Sequence, residues 1–230
     1  MKIILPGQTI GIIGGGQLGR MLAMSAKEMG YKIAILDPSK DACACHFADT
    51  FIHADFDNRK GLERLCQISD VVTFEFENID SDLLAELEKD YHIVQSASIL
   101  KTAQHRLLEK EFARSLGIET VDYQYVDQDT TGVQVDGTYL MKTVRFGYDG
   151  KGQSQITEAS QVQPYTLLER LVPLDKEISV VAYKDRTGIG IVAVVENEHR
   201  HNILYRSIVP TTASPEQEAQ AIDYTRRILE

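Results

Sequence analysis

The sequence lacks the features of a secreted, membrane-spanning or nucleic-acid-binding protein. No apolar run reaches about 18 residues, so a transmembrane helix is not expected. The apolar start, residues 1–6, is too short for the core of a signal peptide. There are 24 basic residues against 34 acidic ones, and the net charge of −10 has the wrong sign for binding duplex nucleic acid. We therefore expect a cytoplasmic protein with neither membrane nor nucleic-acid partners.

Cysteine is scarce, and its placement excludes a disulfide framework. The three cysteines, Cys43, Cys45 and Cys66, make an odd number and lack the spacing of a zinc finger. We expect three buried, reduced thiols in a cytoplasmic enzyme.

The remaining composition is that of an ordinary globular protein. Hydrophobic residues make up 43% and charged residues 25% of the chain, which disfavours disorder and a coiled coil. A length of 230 residues predicts one large domain or two modest ones.

The first hundred residues alternate between apolar runs typical of strands and amphipathic stretches typical of helices. The pattern predicts strands at 10–13, 32–36 and 70–76, and helices at 20–29, 58–66 and 82–89. This alternation predicts an α/β domain with a parallel sheet and helices on both faces. Any ligand site is expected along the carboxyl ends of the strands.

The pattern changes after about residue 100. One amphipathic helix is predicted over 100–116, followed by strands at 139–143, 165–169, 177–183, 190–195 and 202–209. A second unit rich in antiparallel strands is therefore expected. Ser214, Pro215 and Gln217 form a capping-box signature that predicts a last helix. No strand follows that helix, so we expect the sequence to be a fragment.

A glycine-rich turn, with Gly14, Gly16 and Gly19, follows the first predicted strand and opens the first helix. Asp37 ends the next strand, which completes the spacing of a dinucleotide-binding fingerprint. A tight turn that binds a different phosphate, or none, is the simpler interpretation. An NAD-dependent oxidoreductase is one alternative function.

Two carboxylates mark the end of the strand predicted at 70–76. Alternation would place Glu75 and Glu77 on one face, where they could hold a polyhydroxylated or amine-bearing ligand. A solvated strand end is the competing interpretation.

The most specific stretch runs from a lysine on a predicted strand into a glycine-rich loop. Lys142 precedes the loop 147–153, which contains a second lysine, Lys151, among its glycines. Lysines neutralise phosphate oxygens, and glycines let backbone N–H groups approach them closely. The loop is not a Walker A motif, because no Gly-Lys-Ser/Thr opens a helix. The stretch predicts a site for nucleotide phosphates.

Residues further along the chain extend this nucleotide site. The apolar segment 167–172 could pair with an adenine edge, and Glu177 could accept ribose hydroxyls. His199 and His201 would share one face of a strand. A metal pair lacks an evident third ligand, so ligand contact and a surface position both stay open for these histidines.

Four motifs occur in order along the chain, at 14–20, 75–78, 147–153 and 196–199. With them the sequence resembles, over nearly its whole length, the 5-(carboxyamino)imidazole ribonucleotide synthases of the ATP-grasp superfamily. The resemblance implies an α/β fold in three parts. These are a Rossmann-like parallel N-terminal domain (1–100), an ATP-grasp α+β lid (101–175) and the start of an incomplete C-terminal ATP-grasp domain (176–230).

The resemblance also implies a ligase of de novo purine biosynthesis. ATP would phosphorylate bicarbonate to carboxyphosphate, which would carboxylate 5-aminoimidazole ribonucleotide to N5-carboxyaminoimidazole ribonucleotide. ATP and Mg²⁺ would be the cofactors, and the enzyme would be a homodimer. A non-catalytic, truncated ATP-grasp module is a further alternative.

Site residues follow from the resemblance position by position. The catalytic residues would be Asp149, as the acid/base group, with Tyr148 and Lys151. The ribonucleotide would be lined by Gly16, Gln17, Leu18, Glu75 and Asn78. ATP would be bound by Arg106, Lys142, Gly147, Tyr148, Asp149, Gly150, Lys151, Gly152, Gln153, Glu169, Arg170, Leu171, Val172, Glu177 and His199. No metal ligand is expected within this chain, and Phe146, where the family has glycine, would stiffen the loop.

Overall fold

A computed structural model of the chain describes residues 3–145, 147, 152–200 and 203–230. It divides into two compact units, Met1–Gln104 and His105–Glu230. The first unit contains a parallel sheet and the second contains antiparallel sheets. The expected change from a parallel α/β unit to an antiparallel-rich unit is therefore confirmed.

The first unit is built on a four-stranded parallel sheet with the strand order β3-β2-β1-β4. Its strands are β1 (Thr9–Ile13), β2 (Lys32–Asp37), β3 (Thr50–His53) and β4 (Val71–Phe74). Its helices are α1 (Gln17–Glu28), α2 (Arg59–Ile68), α3 (Ser81–Leu87) and α4 (Ala97–Ala103), with a 3-10 turn at Cys45–Phe47. The sequence pattern missed β3 and the 3-10 turn, because both are too short to show a period.

Helices cover both faces of this sheet, as the sequence predicts. Neighbouring residues of a strand point to opposite faces, and Ile12 and Ile13 of β1 belong to two different core clusters. Ile12 packs in the cluster that includes Ala23 of α1, and Ile13 in the cluster that includes Leu62 of α2 and Leu84 of α3. Burial of each large side chain contributes about 1.5–3 kcal/mol.

The single helix predicted over 100–116 is wrong, because two helices lie there. The first, α4, ends at Ala103, and α5 (Arg106–Ser115) begins after an extended residue, His105 (φ −136°, ψ 106°). The side chain of Gln104 donates to the carbonyls of Glu77 and Ile79 at 2.5 and 2.6 Å. These bonds hold Gln104 on the first unit, and the break coincides with the boundary between the units.

The second unit has two antiparallel sheets among its described residues. One contains β5 (Tyr123–Val126), β6 (Tyr139–Thr143), β7 (Gln153–Ile156) and β8 (Thr166–Arg170), in the order β5-β8-β6-β7. The other contains β9 (Glu177–Asp185), β10 (Gly188–Arg200) and β11 (Ile203–Ile208), in the order β11-β10-β9. The last helix, α6 (Pro215–Leu229), begins with the predicted capping box between Ser214 and Gln217.

The cysteines depart from the expectation of three buried thiols. All three are free, but only Cys66 is buried, whereas Cys45 is half-buried and Cys43 is exposed. The prediction is wrong for Cys43 because it lies in the loop after β2, outside the core, with its Sγ 3.5 Å from the carbonyl of Gly15. No helix in the part of the chain that the structure describes has the length and apolar character needed to cross a membrane.

Candidate active site

The glycine-rich turn between β1 and α1 requires glycine because the chain packs closely on itself there. Gly14 has φ +105°, and a Cβ added to it would lie 2.6 Å from Oε1 of Glu75. A Cβ at Gly19 would lie 2.4 Å from the carbonyl oxygen of Gly14. The glycines therefore allow the first turn of α1 to approach both the end of β1 and the residue that follows β4.

Two carboxylates of the chain already accept hydrogen bonds from this turn. Oδ2 of Asp37 accepts from the N–H of Gly15 at 2.7 Å, and Oε1 of Glu75 accepts from the N–H of Gly16 at 3.0 Å. Asp37 is buried, and its Oδ1 accepts from the N–H of Ser39. A dinucleotide site needs these amides for a pyrophosphate and the acidic residue for a ribose hydroxyl. The geometry does not favour the NAD alternative.

The predicted ribonucleotide-binding residues lie around the carboxyl ends of β1 and β4. Glu75 and Leu18 line a cavity of about 470 Å³ beside α1, and Glu75 is bonded to Gly16 as described. Gln17 is exposed in the first turn of α1, and Asn78 is half-buried in the segment after β4. Among the described residues, the only hydrogen bond of the Glu75 side chain to this turn is with Gly16, and neither Gln17 nor Asn78 is bonded to it.

The expected alternation of Glu75 and Glu77 on a strand is wrong, because β4 ends at Phe74. Glu77 is exposed, and its carbonyl is bound by Gln104, so only Glu75 turns toward the glycine turn. Gln95 was not predicted from the sequence; it accepts from the hydroxyl of Thr73 at 2.9 Å and lines the same cavity. No sequence motif marks a glutamine of this kind.

In the second unit, Lys142 projects from β6 onto a buried carboxylate. Its Nζ lies 2.5 Å from Oε2 of Glu169 on β8, while Nζ of Lys110 on α5 lies 2.9 Å from Oε1. Burial alone would raise the pKa of Glu169, but the hydrogen bonds from Lys142 and Lys110 outweigh it and hold the pKa below its usual value. Glu169 is therefore an ionised side chain between two cations.

Arg106 lies at the base of the glycine-rich loop. Its backbone N–H donates to Val144 at 3.0 Å, and its Nε and Nη2 donate to the carbonyls of Thr143 and Gly147 at 3.2 and 3.3 Å. Arg106 and Lys110 are four residues apart on α5 and so share one face of the helix. Lys110 was not among the predicted site residues, because a lysine four residues after an arginine on an amphipathic helix usually points into solvent.

The central part of the loop lies outside the part of the chain that the structure describes. The predicted catalytic and binding residues Tyr148, Asp149, Gly150 and Lys151, together with Phe146 and His201, lie outside the described residues. At the far side of the loop, Gly152 has φ +73°, and its carbonyl accepts from the N–H of Thr143 at 2.8 Å. Gln153 then begins β7 directly opposite Lys142.

The segment predicted to hold adenine continues from β8. The backbone N–H groups of Arg170 and Leu171 already donate hydrogen bonds within the protein, to the carbonyls of Asp122 and Thr138 at 3.0 Å each. The Arg170 guanidinium is also engaged, donating to Asp136 at 2.8 Å. In the described parts of the chain no backbone carbonyl accepts from the N–H of Val172.

Glu177 and His199 come together on the wall of a cavity of about 890 Å³ beside β9, β10 and β11. His199 Nδ1 lies 3.8 Å from Oε2 of Glu177, and the side chain of Asn197 donates to Oε1 of Glu177 at 3.1 Å. The register of β10 against β11 shifts between Glu198 and His199. Gln153 also lines this cavity, but Lys142 and Glu169 are not among its lining residues.

The cavity around Glu177 is acidic. Its lining residues include four carboxylates and two basic side chains: Asp175, Glu177, Glu196, Glu198, Lys176 and Arg206. This charge suits hydroxyl groups, which a carboxylate can accept from, better than an uncompensated triphosphate. Within the described ranges, no three His, Cys, Asp or Glu side chains are grouped so that they could hold a metal ion.

Comparison with protein families matches both units. The model of the ribonucleotide synthetase preATP-grasp domain matches residues 7–104, and the model of the ATP-grasp domain matches residues 111–230. Among curated relatives, the N5-carboxyaminoimidazole ribonucleotide synthase of Bacillus subtilis (strain 168) is 38% identical over 242 residues, covering 100% of this chain and 64% of the relative. The synthase of Staphylococcus aureus (strain COL) is 39% identical, covering 97% of this chain and 63% of the relative.

Solved structures give the same result. An ADP complex of N5-carboxyaminoimidazole ribonucleotide synthetase matches with a TM-score of 0.92 and 41% identity, covering 99% of this chain and 64% of that one. The Staphylococcus aureus synthetase complexed with ADP matches with a TM-score of 0.92 and 35% identity, covering 100% of this chain and 64% of that one. This chain thus spans less than two thirds of the relatives that it matches. Because the ATP-grasp model matches more than half of its residues, the chain belongs to the ATP-grasp family, with a preATP-grasp domain of the ribonucleotide synthetase type ahead of its ATP-grasp domain.

Proposed function

We propose that the chain is the ribonucleotide- and nucleotide-binding part of an ATP-dependent carboxylating ligase of purine biosynthesis. The reaction is the carboxylation of 5-aminoimidazole ribonucleotide by bicarbonate, which forms N5-carboxyaminoimidazole ribonucleotide, ADP and phosphate. Two features carry the proposal. Arg106 donates to the carbonyls of Thr143 and Gly147 at the start of the glycine-rich loop, and Lys142 pairs with Gln153 at its end. The chain that holds them matches an ADP-bound synthetase over its whole length.

The ATP site takes its parts from the second unit. Lys142 and Arg106 bind phosphates, Glu177 and His199 bind the ribose side, and the N–H of Val172, which no described backbone carbonyl accepts from, donates to the adenine ring. Gly147 to Gln153 form the loop over the phosphates. In this proposal residues 1–100 form a Rossmann-like domain, 101–175 the lid, and 176–230 the start of the C-terminal ATP-grasp domain.

The ribonucleotide site takes its parts from the first unit. Glu75 accepts hydrogen bonds from hydroxyl or amine groups of the substrate, next to the turn that carries Gly16, Gln17 and Leu18, and Asn78 lies on the following segment. The position of Glu75 at the carboxyl end of β4 supports this assignment, because ligands of parallel α/β sheets bind at that edge.

The chemistry requires charge neutralisation, exclusion of water and removal of one proton. Lys142, Arg106 and Lys151 neutralise the transferred phosphoryl group. Closure of the loop excludes water, which would hydrolyse carboxyphosphate. Asp149, with Tyr148 beside it, accepts the proton of the attacking amine. Mg²⁺ is expected to act together with ATP, and the residues that the structure describes contain no group of three His, Cys, Asp or Glu side chains that could hold it.

Release of phosphate from ATP tests the proposal. In a protein that carries this chain together with the remaining third of its relatives' length, we expect release only when 5-aminoimidazole ribonucleotide and bicarbonate are both present. There we expect Asp149→Asn to lower kcat by about 10²-fold or more with little change in ATP affinity. Binding of NADH without ATP would favour the oxidoreductase alternative. Binding of ATP without any turnover would favour the non-catalytic module. A homodimer and a cytoplasmic location stay predictions, and sedimentation measures the first.

A further inference from the structure

Two lysine side chains lie beside the single carboxylate of Glu169, although one cation would neutralise it. Lys142 Nζ lies 2.5 Å from its Oε2 and Lys110 Nζ lies 2.9 Å from its Oε1. The side chains of Lys110, Lys142 and Glu169 are 20%, 18% and 10% exposed, so the cluster is largely shielded from water. Two cations and one anion leave an excess of one positive charge. Such an excess in a poorly solvated place favours the binding of an anion.

The two lysines differ in the elements that surround them. Nζ of Lys110 lies 5.9 Å from the ring centroid of Tyr123, which is opposite Glu169 in the β5–β8 pairing. The guanidinium of Arg114 lies 4.1 Å from the same ring and packs it from α5. Lys110 thus lies on the β5 side of Glu169. Lys142 lies on β6, the strand that leads into the glycine-rich loop.

We infer that Lys110 is a positioning residue that neutralises Glu169 and thereby frees Lys142 for the phosphates of ATP. This inference rests on the proposed ATP-binding function. When Lys142 turns from Glu169 to a phosphate oxygen, the carboxylate keeps Lys110 as its partner. Without Lys110, the same movement would leave a buried carboxylate unpaired, which is strongly unfavourable. Lys142 would then stay on Glu169, and ATP would bind weakly.

A double-mutant cycle in the full chain tests the inference. The dissociation constant for ATP is measured by calorimetry for the wild type, Lys110→Met, Glu169→Gln and the double variant, and thermal unfolding checks that each is folded. We expect Lys110→Met to weaken ATP binding about tenfold when Glu169 is present. In the Glu169→Gln background we expect less than about a threefold change, because a neutral amide needs no second cation. Lys110→Arg, which keeps the charge, restores binding to within about threefold.

The outcomes separate the inference from the function on which it rests. A wild-type chain that binds no ATP contradicts the proposed function, and the inference falls with it. A wild-type chain that binds ATP, with an equal loss from Lys110→Met in both backgrounds, gives Lys110 a purely structural role and overturns the inference alone.

A second measurement needs no variant. In a crystal structure of the unaltered chain with a non-hydrolysable ATP analogue, Lys110 should remain on Glu169 while Lys142 contacts a phosphate. If Lys142 stays on Glu169 with the analogue bound, the inference is wrong.

Discussion

Two acidic residues bind the backbone of the glycine-rich turn in the first unit. Asp37 and Glu75 each accept one N–H of the turn, so both carboxylates act on the backbone at the start of α1. A helix N-terminus favours negative charge, and here the chain supplies that charge itself. A ligand with a bare phosphate would have to displace these carboxylates, whereas a ligand with hydroxyl or amine groups could add to the free lone pairs of Glu75.

The close packing of this turn predicts the effect of adding one methyl group. Gly19→Ala should destabilise the chain by about 1–3 kcal/mol, because the new Cβ would lie 2.4 Å from the backbone oxygen of Gly14. This cost exceeds the helix propensity that alanine gains over glycine, which is about 1 kcal/mol. Denaturant unfolding measures the difference. Glu28→Ala, at the exposed end of the same helix, should change stability by less than about 0.5 kcal/mol, and an equal loss in both variants would contradict the packing argument.

Two of the three cysteines, Cys43 and Cys66, should react with thiol reagents in a fixed order. Cys43 is exposed and should be alkylated in the folded protein, whereas burial raises the pKa of the Cys66 thiol to about 11. At pH 8 about one Cys66 side chain in a thousand is therefore a thiolate, and it is also shielded. Mass spectrometry of the alkylated protein should find Cys43 modified first and Cys66 modified only after unfolding.

The same shift predicts the direction of a pH effect on stability. The folded-state pKa of Cys66 lies above its unfolded value of 9.0, so this contribution to stability is complete below pH 9 and is lost as the pH rises toward 11.

Two results of the alkylation experiment would contradict the assignment of Cys43 as the reactive thiol and Cys66 as the protected one. The first is rapid alkylation of Cys66 in the native chain. The second is loss of the rapid phase in a Cys66→Ser variant instead of a Cys43→Ser variant.

At the residue scale, the sequence indicated those candidate site residues whose neighbours along the chain form a recognisable motif. Lys142 stands before a glycine-rich loop, and His199 lies in the motif at 196–199, so both could be named in advance as candidates. Glu177 lies in no motif and could be named only as a possible acceptor for ribose hydroxyls. Lys110 could not, because a lysine on an amphipathic helix usually points into solvent. Its role depends on Glu169, which is 59 residues away along the chain, and contacts at such separation leave no local pattern.

Among the elements, helix α6 gives the cleanest case of a local signal that determines structure. The hydroxyl of Ser214 accepts from the N–H of Gln217 at 3.3 Å, and the Gln217 side chain accepts from the N–H of Ser214 at 2.8 Å. Both bonds are made by residues three apart, so the sequence alone predicts them. The bounds of β6 were predicted in the same way, from a short apolar strand between polar segments.

Substitution of Ser214, the N-cap of α6, should show how much the cap contributes to the free energy of unfolding. Ser214→Ala should lower the free energy of unfolding by about 1 kcal/mol, because it leaves N–H groups of the first turn without an acceptor. Ser214→Gly is the matched control and should cost only a few tenths of a kcal/mol, since glycine suits the cap position. Chemical denaturation compares the two variants. An equal loss in both would mean that the hydroxyl is not the source of the effect.

The α4–α5 break marks the limit of element prediction. Periodicity alone continued through Gln104 and His105, because both helices are amphipathic and no glycine or proline separates them. The break follows from the side-chain bonds of Gln104 to the backbone of Glu77 and Ile79, which no pattern at 100–116 contains.

For the whole molecule, the order of two units could be predicted because each has its own periodicity. Alternating strands and helices up to residue 104 and mainly strands from residue 123 are visible in the sequence, and a parallel and an antiparallel arrangement follow from them. The arrangement of charge could not be predicted. In the second unit, Lys110 and Lys142 lie beside Glu169, and none of these three residues lines the acidic cavity around Glu177. Which side chains line that cavity depends on the folded structure and not on a local sequence pattern.

The central claim is that the second unit binds the phosphates of ATP through Lys142, and calorimetric titration with ATP tests it most directly. We predict that the wild-type chain binds ATP and not NADH, and that Lys142→Met weakens ATP binding about tenfold or more, the loss expected when a charged hydrogen bond is removed. Lys89→Met, on an exposed lysine of the first unit, should bind ATP like the wild type. Unchanged ATP binding by Lys142→Met in a folded protein would contradict the account.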